Sequence, residues 1–339
     1  MEELKFLYYT LYRCFFNRYT LRMLLIRHIK RHAFFQQGCV ATIGNFDGLH
    51  RGHRAIFECL KQRAKEQGLP CVVVTFEPLP REFFSKSSKQ APICRLTRFK
   101  EKWALLKKWG IDVFVCLRFN GALSQLSAAQ FVAQVLVQGL NTKHLIVGKD
   151  FRFGRDREGD LSFLEKQAKN YHFTLEVAPE VLWEGERISS TWVRTVLQEN
   201  NLMVAEQLLG RPYSLLGKVI HGDKRARQWG VPTANLNIHR SIISTVLPIK
   251  GVYAVVVEGV GLDSTCGVAN VGNRPTVNGF RNLLEVHLLD FEGSLYNQVI
   301  EVKFLHKVRD EKRFDSLELL KRQILDDVDM VKAFFKSKK

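Results

Sequence analysis

The patterning of the chain changes at Gly210-Arg211-Pro212, a helix stop followed by a breaker. From Val40 to about Leu182, strand-like apolar runs alternate with helical patterns. Val40–Ile43, Cys71–Phe76, Val113–Leu117, His144–Val147 and Phe173–Val177 read as strands; Arg54–Gln67, Arg98–Trp109, Ala128–Gln138 and Leu161–Asn170 read as helices. Alternation with short connections predicts a parallel sheet covered on both faces, with ligands at the carboxyl ends of its strands. A helical stretch from Thr191 to Leu209 closes this half. Beyond Pro212 the runs Leu215–Ile220, Gly251–Val257, Cys266–Val271, Leu284–Leu289 and Ile300–Leu305 follow one another without helices. That spacing predicts a small antiparallel barrel or sandwich, closed by a helix from about Ser316. A chain of 339 residues is long enough for each half to bury its own core.

The most specific stretch is Gly44-Asn45-Phe46-Asp47-Gly48-Leu49-His50-Arg51-Gly52-His53. A buried strand breaks at Gly44 and Gly48, and a helix opens near His50. This is the local geometry that presents backbone N–H groups and a helix dipole to phosphate. His50 and His53, at i and i+3, share one helical face, and Gly52 permits close approach of a ligand. Without Gly-Lys-Ser/Thr the turn is not a P-loop. Two imidazoles over a phosphate site suit attack at the α-phosphorus of a nucleotide, where they donate hydrogen bonds as charge develops.

This turn resembles the signature of the nucleotidylyltransferases, and in detail the adenylyltransferase half of the bacterial bifunctional riboflavin kinase/FAD synthetase family. Four further phrases fit that resemblance: Thr75-Phe76-Glu77-Pro78, Val147 to Gly154, Arg157 to Asp160, and Ile188-Ser189-Ser190-Thr191-x-x-Arg194. Hydroxyls at a helix start serve as caps or meet phosphates. Arg194, one turn in, offers a fork to a triphosphate. Downstream, Gly222-Asp223-Lys224 precedes Pro232-Thr233-Ala234-Asn235, a phrase that marks riboflavin kinases. In an extended segment Thr233 and Asn235 share a face, and their oxygens suit Mg²⁺ bridging ATP phosphates. Glu285, alternating with His287 on a strand, is placed to take a proton from a hydroxyl nucleophile. Ala226, Trp229 and Val231 depart from the residues usual in the family's kinase loop.

The resemblance implies a Rossmann-like α/β domain over 23–209 and a small antiparallel β-barrel kinase domain with a C-terminal helix over 210–339. It implies catalytic roles for Glu285, His50, His53 and Arg194, and a metal site at Thr233 and Asn235. ATP-binding roles fall to Gly44, Asn45, Phe46, Asp47, Gly48, Gly52, Ser189, Ser190, Thr191, Gly222, Asp223 and Lys224. Flavin-binding roles fall to Asp150, Arg152, Phe153, Arg274 and Arg309. The implied activity is phosphorylation of riboflavin to FMN and adenylylation of FMN to FAD, with ATP as co-substrate and Mg²⁺ as cofactor. The alternatives are an enzyme that keeps one of these activities, or a related nucleotidylyltransferase with another acceptor.

Composition narrows the partners. Lys and Arg number 51 against 34 Asp and Glu, a formal net charge of +17. The cations are scattered and form no stripe interleaved with aromatics, so the excess is read as serving phosphate ligands, with no nucleic-acid or membrane partner. A basic RNA-binding protein on a nucleotide fold is the competing reading. The seven cysteines lack a C-x-x-C pair and read as core residues of a reducing, cytoplasmic protein, a monomer or weak oligomer. Residues 1–22 are aromatic and basic, with Met23 as a natural start, and are read as an extension outside the working protein, a short amphipathic surface helix being the competing reading.

Overall fold

The computed structural model describes residues 23–29, 33–85, 94–221, 231–238, 246–259, 262–276 and 279–338, with backbone alone at 33, 262–263, 273–276 and 279–281. The expectation for residues 1–22 lies outside them. The chain packs as two compact units. Of the described residues, one unit holds those up to Gly44 and those within Phe57–Glu77 and Trp103–Val177; the other holds those within Asn45–Ile56, within Pro78–Lys102 and from Ala178 onward. The described helices are α1 (Arg51–Gln67), α2 (Pro80–Ser85), α3 (Phe99–Lys108), α4 (Gly121–Ser124), α5 (Ala128–Phe131), α6 (Leu161–Tyr171), α7 (Ser190–Gln198), α8 (Leu202–Leu209) and α9 (Leu317–Lys336).

The first unit is built on a parallel sheet of β1 (Leu24–Ile26), β2 (Cys39–Ile43), β3 (Cys71–Glu77), β4 (Val113–Arg118), β5 (Thr142–Val147) and β6 (Thr174–Val177), in the order β1-β4-β3-β2-β5-β6. Every residue of β2 is buried, the mark of a central strand covered on both faces, and it explains an apolar run without alternation. From β2 the chain moves outward to β3 and β4, then returns to lay β5 on the other side of β2. The reversal between β2 and β5 is the topological switch point, where sheets of this kind bind ligands. Gly44 and Gly148 follow these two strands and leave the same edge of the sheet.

The second unit contains a closed barrel. It is formed by β9 (Ser214–Ile220), β10 (Thr233–Asn237), β11 (Gly251–Gly259), β12 (Leu262–Thr276), β13 (Gly279–Leu288) and β14 (Val299–Arg309), in the order β10-β13-β12-β11-β14-β9. A two-stranded hairpin, β7 (Leu182–Trp183) with β8 (Glu186–Arg187), precedes it. Alternation assigns the two barrel faces. Leu236, Tyr253, Val255, Ala269, Val271, Leu284, Val286, Ile300 and Val302 enter one core cluster, together with Val193, Val196, Leu197 and Leu208 of α7 and α8. The opposite faces of β11 and β12 give Val252, Ala254 and Val268, joined by Leu289 just after β13, to a second cluster with Val328 and Val331 of α9. Arg309 locks that helix down by donating to both oxygens of Asp327 at 2.7 Å.

The parallel sheet, the barrel and the terminal helix agree with expectation. Among the helices, the stretch from Thr191 to Leu209 differs in being two helices. Asn200 turns left-handed (φ 59°), and Asn201 caps α8 by accepting the N–H of Val204 at 3.1 Å. A second difference is that the segment predicted as one helix over Ala128–Gln138 is α5 followed by a π-helix, Val132–Gly139.

Candidate active sites

The turn between β2 and α1 is held from several directions within the second unit. Phe46 and Leu49 take positive φ (44° and 46°) and Gly48 takes 90°. Non-glycine residues in such conformations persist only where the surroundings dictate them. The Asp47 carboxylate accepts the N–H groups of Leu96 (3.1 Å) and Thr97 (2.9 Å) and pairs with the Arg194 guanidinium. The Gly48 N–H donates to Thr97 Oγ1 at 2.8 Å. The carbonyls are held as firmly. Lys102 donates to Asn45 O (2.7 Å), the Ser190 hydroxyl to Asp47 O (2.7 Å), and Arg211 to Gly48 O (2.8 Å) and Leu49 O (2.9 Å).

His50 and His53 stand on this support. Their rings stack at 3.6 Å between centroids, and Phe46 meets His53 edge-on at 5.3 Å. The His53 N–H donates to His50 Nδ1 at 3.3 Å, so His50 caps α1 and its neutral form carries the proton on Nε2. Burial lowers the His50 pKa to about 4, with repulsion from Arg211, Arg187 and Arg194 adding to it and Asp47 opposing. Burial also drives the His53 pKa well below the usual value, followed by His50, Lys102, Arg211 and Arg187. Both rings are neutral at pH 7, in a neighbourhood of positive charge. His53 Nδ1 is buried without a hydrogen-bond partner among the described residues.

The remaining expected residues divide by what already holds them. Ser189 is the cap of α7, accepting the Trp192 N–H at 3.2 Å, while Thr191 is exposed. The Arg194 guanidinium serves the turn, reaching Cys94 O at 2.7 Å as well as Asp47. Gly52 has room for little more than hydrogen, since a Cβ there would stand 3.1 Å from the His50 ring. In the first unit, Asp150 and Arg152 are exposed, Arg152 pairing with Asp160 at 3.1 Å. Phe153 is buried against Phe131, Phe151 and Phe163. Sequence reasoning did not single out Thr97, Lys102 or Arg211. Arg211 had drawn notice only as part of a helix stop.

The barrel assembles a second polar set. Asn235 lies directly across from Glu285, Thr233 across from His287, and Asn270 flanks Glu285 from its other side. Leu236, Val286 and Ala269 point into the core, so Asn235, Glu285 and Asn270 share the outer face. Cross-strand neighbours of this kind have Cβ atoms about 5 Å apart, close enough for their oxygens to converge on one ligand. The His287 Nδ1–H donates to Pro232 O at 2.9 Å, and burial lowers that ring's pKa. Asn270 falls in the strand-like run Cys266–Val271 but was not singled out, because only strand pairing reveals its neighbour. Arg309 is engaged by Asp327 and, at 2.9 Å, by Asp310 O. Gly222, Asp223, Lys224 and the side chain of Arg274 lie outside the described residues.

A parallel sheet whose strand β2 runs on in the chain to a His-x-Gly-His turn, together with a closed barrel, fits a two-part transferase of the nucleotidyltransferase-plus-kinase class. Residues 33–192 match the FAD synthetase family and residues 209–335 the riboflavin kinase family. The chain is 46% identical over 300 residues to the bifunctional riboflavin kinase/FMN adenylyltransferase of Escherichia coli K12, covering 88% of this chain and 94% of that one. With the protein of the same description from Pseudomonas fluorescens it is 48% identical over 312 residues, covering 92% and 97%. Its fold is shared with a crystal structure of a macrolide-efflux protein from Streptococcus pneumoniae, at a TM-score of 0.73 and 29% identity over 91% of this chain and 99% of that one. The chain belongs to the bifunctional riboflavin kinase/FMN adenylyltransferase family. No helix among the described residues is long and apolar enough to cross a membrane.

Proposed function

We propose that the chain makes FAD from riboflavin in two steps, residues 210–339 acting first and residues 23–209 second. In the first step the ribityl hydroxyl of riboflavin attacks the γ-phosphorus of ATP. The new O–P bond forms as the bond to the β-phosphate oxygen breaks, ADP leaves, and Glu285 takes the hydroxyl proton. In the second step an FMN phosphate oxygen attacks the α-phosphorus of another ATP, and pyrophosphate leaves. The neutral His50 Nε2–H and His53 donate to the phosphate oxygens as negative charge gathers there. Arg194 keeps Asp47 and the turn in place beneath them.

The observation that carries this reading is the coexistence of the His50–His53 stack with the Asn235–Glu285 cross-strand pair. Each falls within its own family match. Mg²⁺ is the proposed cofactor. Thr233 and Asn235 would hold it, and hydroxyl, amide and carboxylate oxygens on one barrel face are the hard donors it prefers. When bound it offsets phosphate charge. The scattered cations favour small phosphate substrates over nucleic acid or membrane, and the same reading takes the protein as a cytoplasmic monomer or weak oligomer.

A product time course with Mg-ATP and riboflavin tests the proposal. FMN should appear first and FAD follow. Glu285→Ala should lose the first step only, and His53→Ala the second only. Wild-type protein that stops at FMN, or makes FAD only from supplied FMN, would leave one site idle.

A further inference from the structure

We infer that Arg211 is a positioning residue for adenylyl transfer, although it lies outside the FAD synthetase match and inside the riboflavin kinase match. The inference rests on the reading of the His50–His53 turn as the adenylyl-transfer site.

Gly210 ends α8 in the left-handed conformation (φ 70°), which sets the backbone direction at Arg211. From there the guanidinium donates to Gly48 O at 2.8 Å, Leu49 O at 2.9 Å and Leu209 O at 3.3 Å. Among the described residues no carboxylate lies within ion-pair distance of it; Glu301 acts only from further away. A half-buried cation bonded only to carbonyls gains little stability from the arrangement. Stability alone would be served as well by an apolar side chain of similar size.

The geometry of the peptide unit gives the arrangement a purpose. In a trans peptide the C=O and N–H point in opposite directions. Gly48 O shares its peptide with the Leu49 N–H, and Leu49 O with the His50 N–H. By drawing both carbonyls toward itself, Arg211 turns two consecutive N–H groups the other way, at the start of α1. Neither has a hydrogen-bond partner among the described residues. Successive N–H groups at a helix N-terminus form an anion-binding concavity. Arg211 thus aims the donors and adds its own positive charge to the region, without needing to touch the substrate.

The test uses full-length Arg211→Met and Arg211→Lys, with adenylyl transfer from supplied FMN and riboflavin phosphorylation measured on the same samples. Arg211→Met should lower kcat for adenylyl transfer at least about tenfold, since donors aimed at developing charge act chiefly in the transition state. KM for ATP should change by less than about threefold and riboflavin phosphorylation by less than about twofold. Arg211→Lys, which keeps the charge but not the fork, should recover part of the loss. Unchanged adenylyl transfer in Arg211→Met overturns the inference. If Arg211→Met loses both activities, Arg211→Lys decides: kinase kept with transfer reduced upholds it, and both lost assigns Arg211 to folding alone. Wild-type protein that makes no FAD from FMN overturns the site reading and this inference together, an outcome distinct from a normal wild type matched by its variant.

Discussion

The N–H of His53 donates to Nδ1 of His50, and the two rings stack 3.6 Å apart. The same imidazole that closes the first turn of α1 therefore presents Nε2–H for chemistry. Structure and reactivity are tied to a single tautomer.

The pH dependence follows from the charges around the pair. Arg187 in the hairpin, Arg194 on α7, Lys102 on α3 and Arg211 after α8 oppose protonation, with Asp47 on the other side of the balance. The folded His50 pKa, about 4, lies below the unfolded value of 6.5. Over that interval the unfolded chain binds more protons, so this contribution to stability is full above about pH 6.5 and is lost as pH falls toward about 4. The urea midpoint should drop between about pH 7 and pH 5 in the wild type. It should drop less in His50→Asn, which still caps the helix. Adenylyl transfer should show no histidine titration between about pH 6 and pH 8.

Gly52→Ala should separate stability from activity. Alanine favours a helix over glycine by about 1 kcal/mol. Its Cβ would stand 3.1 Å from the His50 ring, which must shift by a few tenths of an ångström. Thermal stability should hold or rise slightly while adenylyl transfer falls by about tenfold or more, because a small misplacement at the reacting centre is expensive. Paired melting and rate measurements decide the matter, and unchanged transfer would show that the ring has room.

Asp47→Ala should destabilise the protein by about 3–5 kcal/mol, the usual effect of stripping one partner from a buried ion pair. The change leaves Arg194 and the N–H groups of Leu96 and Thr97 without their acceptor. Equilibrium urea unfolding would measure it, and Asp47→Asn should lose less. A loss below about 1 kcal/mol would place the burden of holding the turn on other contacts.

Glu285→Gln should reduce riboflavin phosphorylation by about 10²–10⁴-fold, the range for a lost general base. FAD formation from supplied FMN should be unaffected. Asn270→Ala, beside the same carboxylate on β12, should lower kinase turnover more modestly. Initial rates for both reactions check the pair.

Local signals carried much of the architecture. β2 was legible because a strand buried on both faces is a short apolar run bounded by glycine. Serine and asparagine caps announce helix starts, but the Asn200-Asn201 cap that splits the stretch from Thr191 to Leu209 into α7 and α8 went unread, because the apolar pattern continues across it. The three-residue β1 was not read, because so short a run has no periodicity to detect. The π-helix after α5 is likewise invisible, since its hydrogen-bond shift leaves no mark on residue type.

The sequence by itself determined that a parallel sheet is followed by an antiparallel barrel and a terminal helix, and it determined the residues whose partners lie within a turn or a strand. His50, His53 and Gly52 are one such set, and Thr233 with Asn235 another; spacing along the chain settles which face they share. Tertiary structure alone decided what holds them. Thr97, Lys102, Arg194 and Arg211 meet the 45–49 turn from distant points in the chain, and Asn270 meets Glu285 only through strand register. The reason is physical. Periodicity and capping act over a few residues of backbone, whereas a buried charge finds its acceptors only after the chain has folded back on itself.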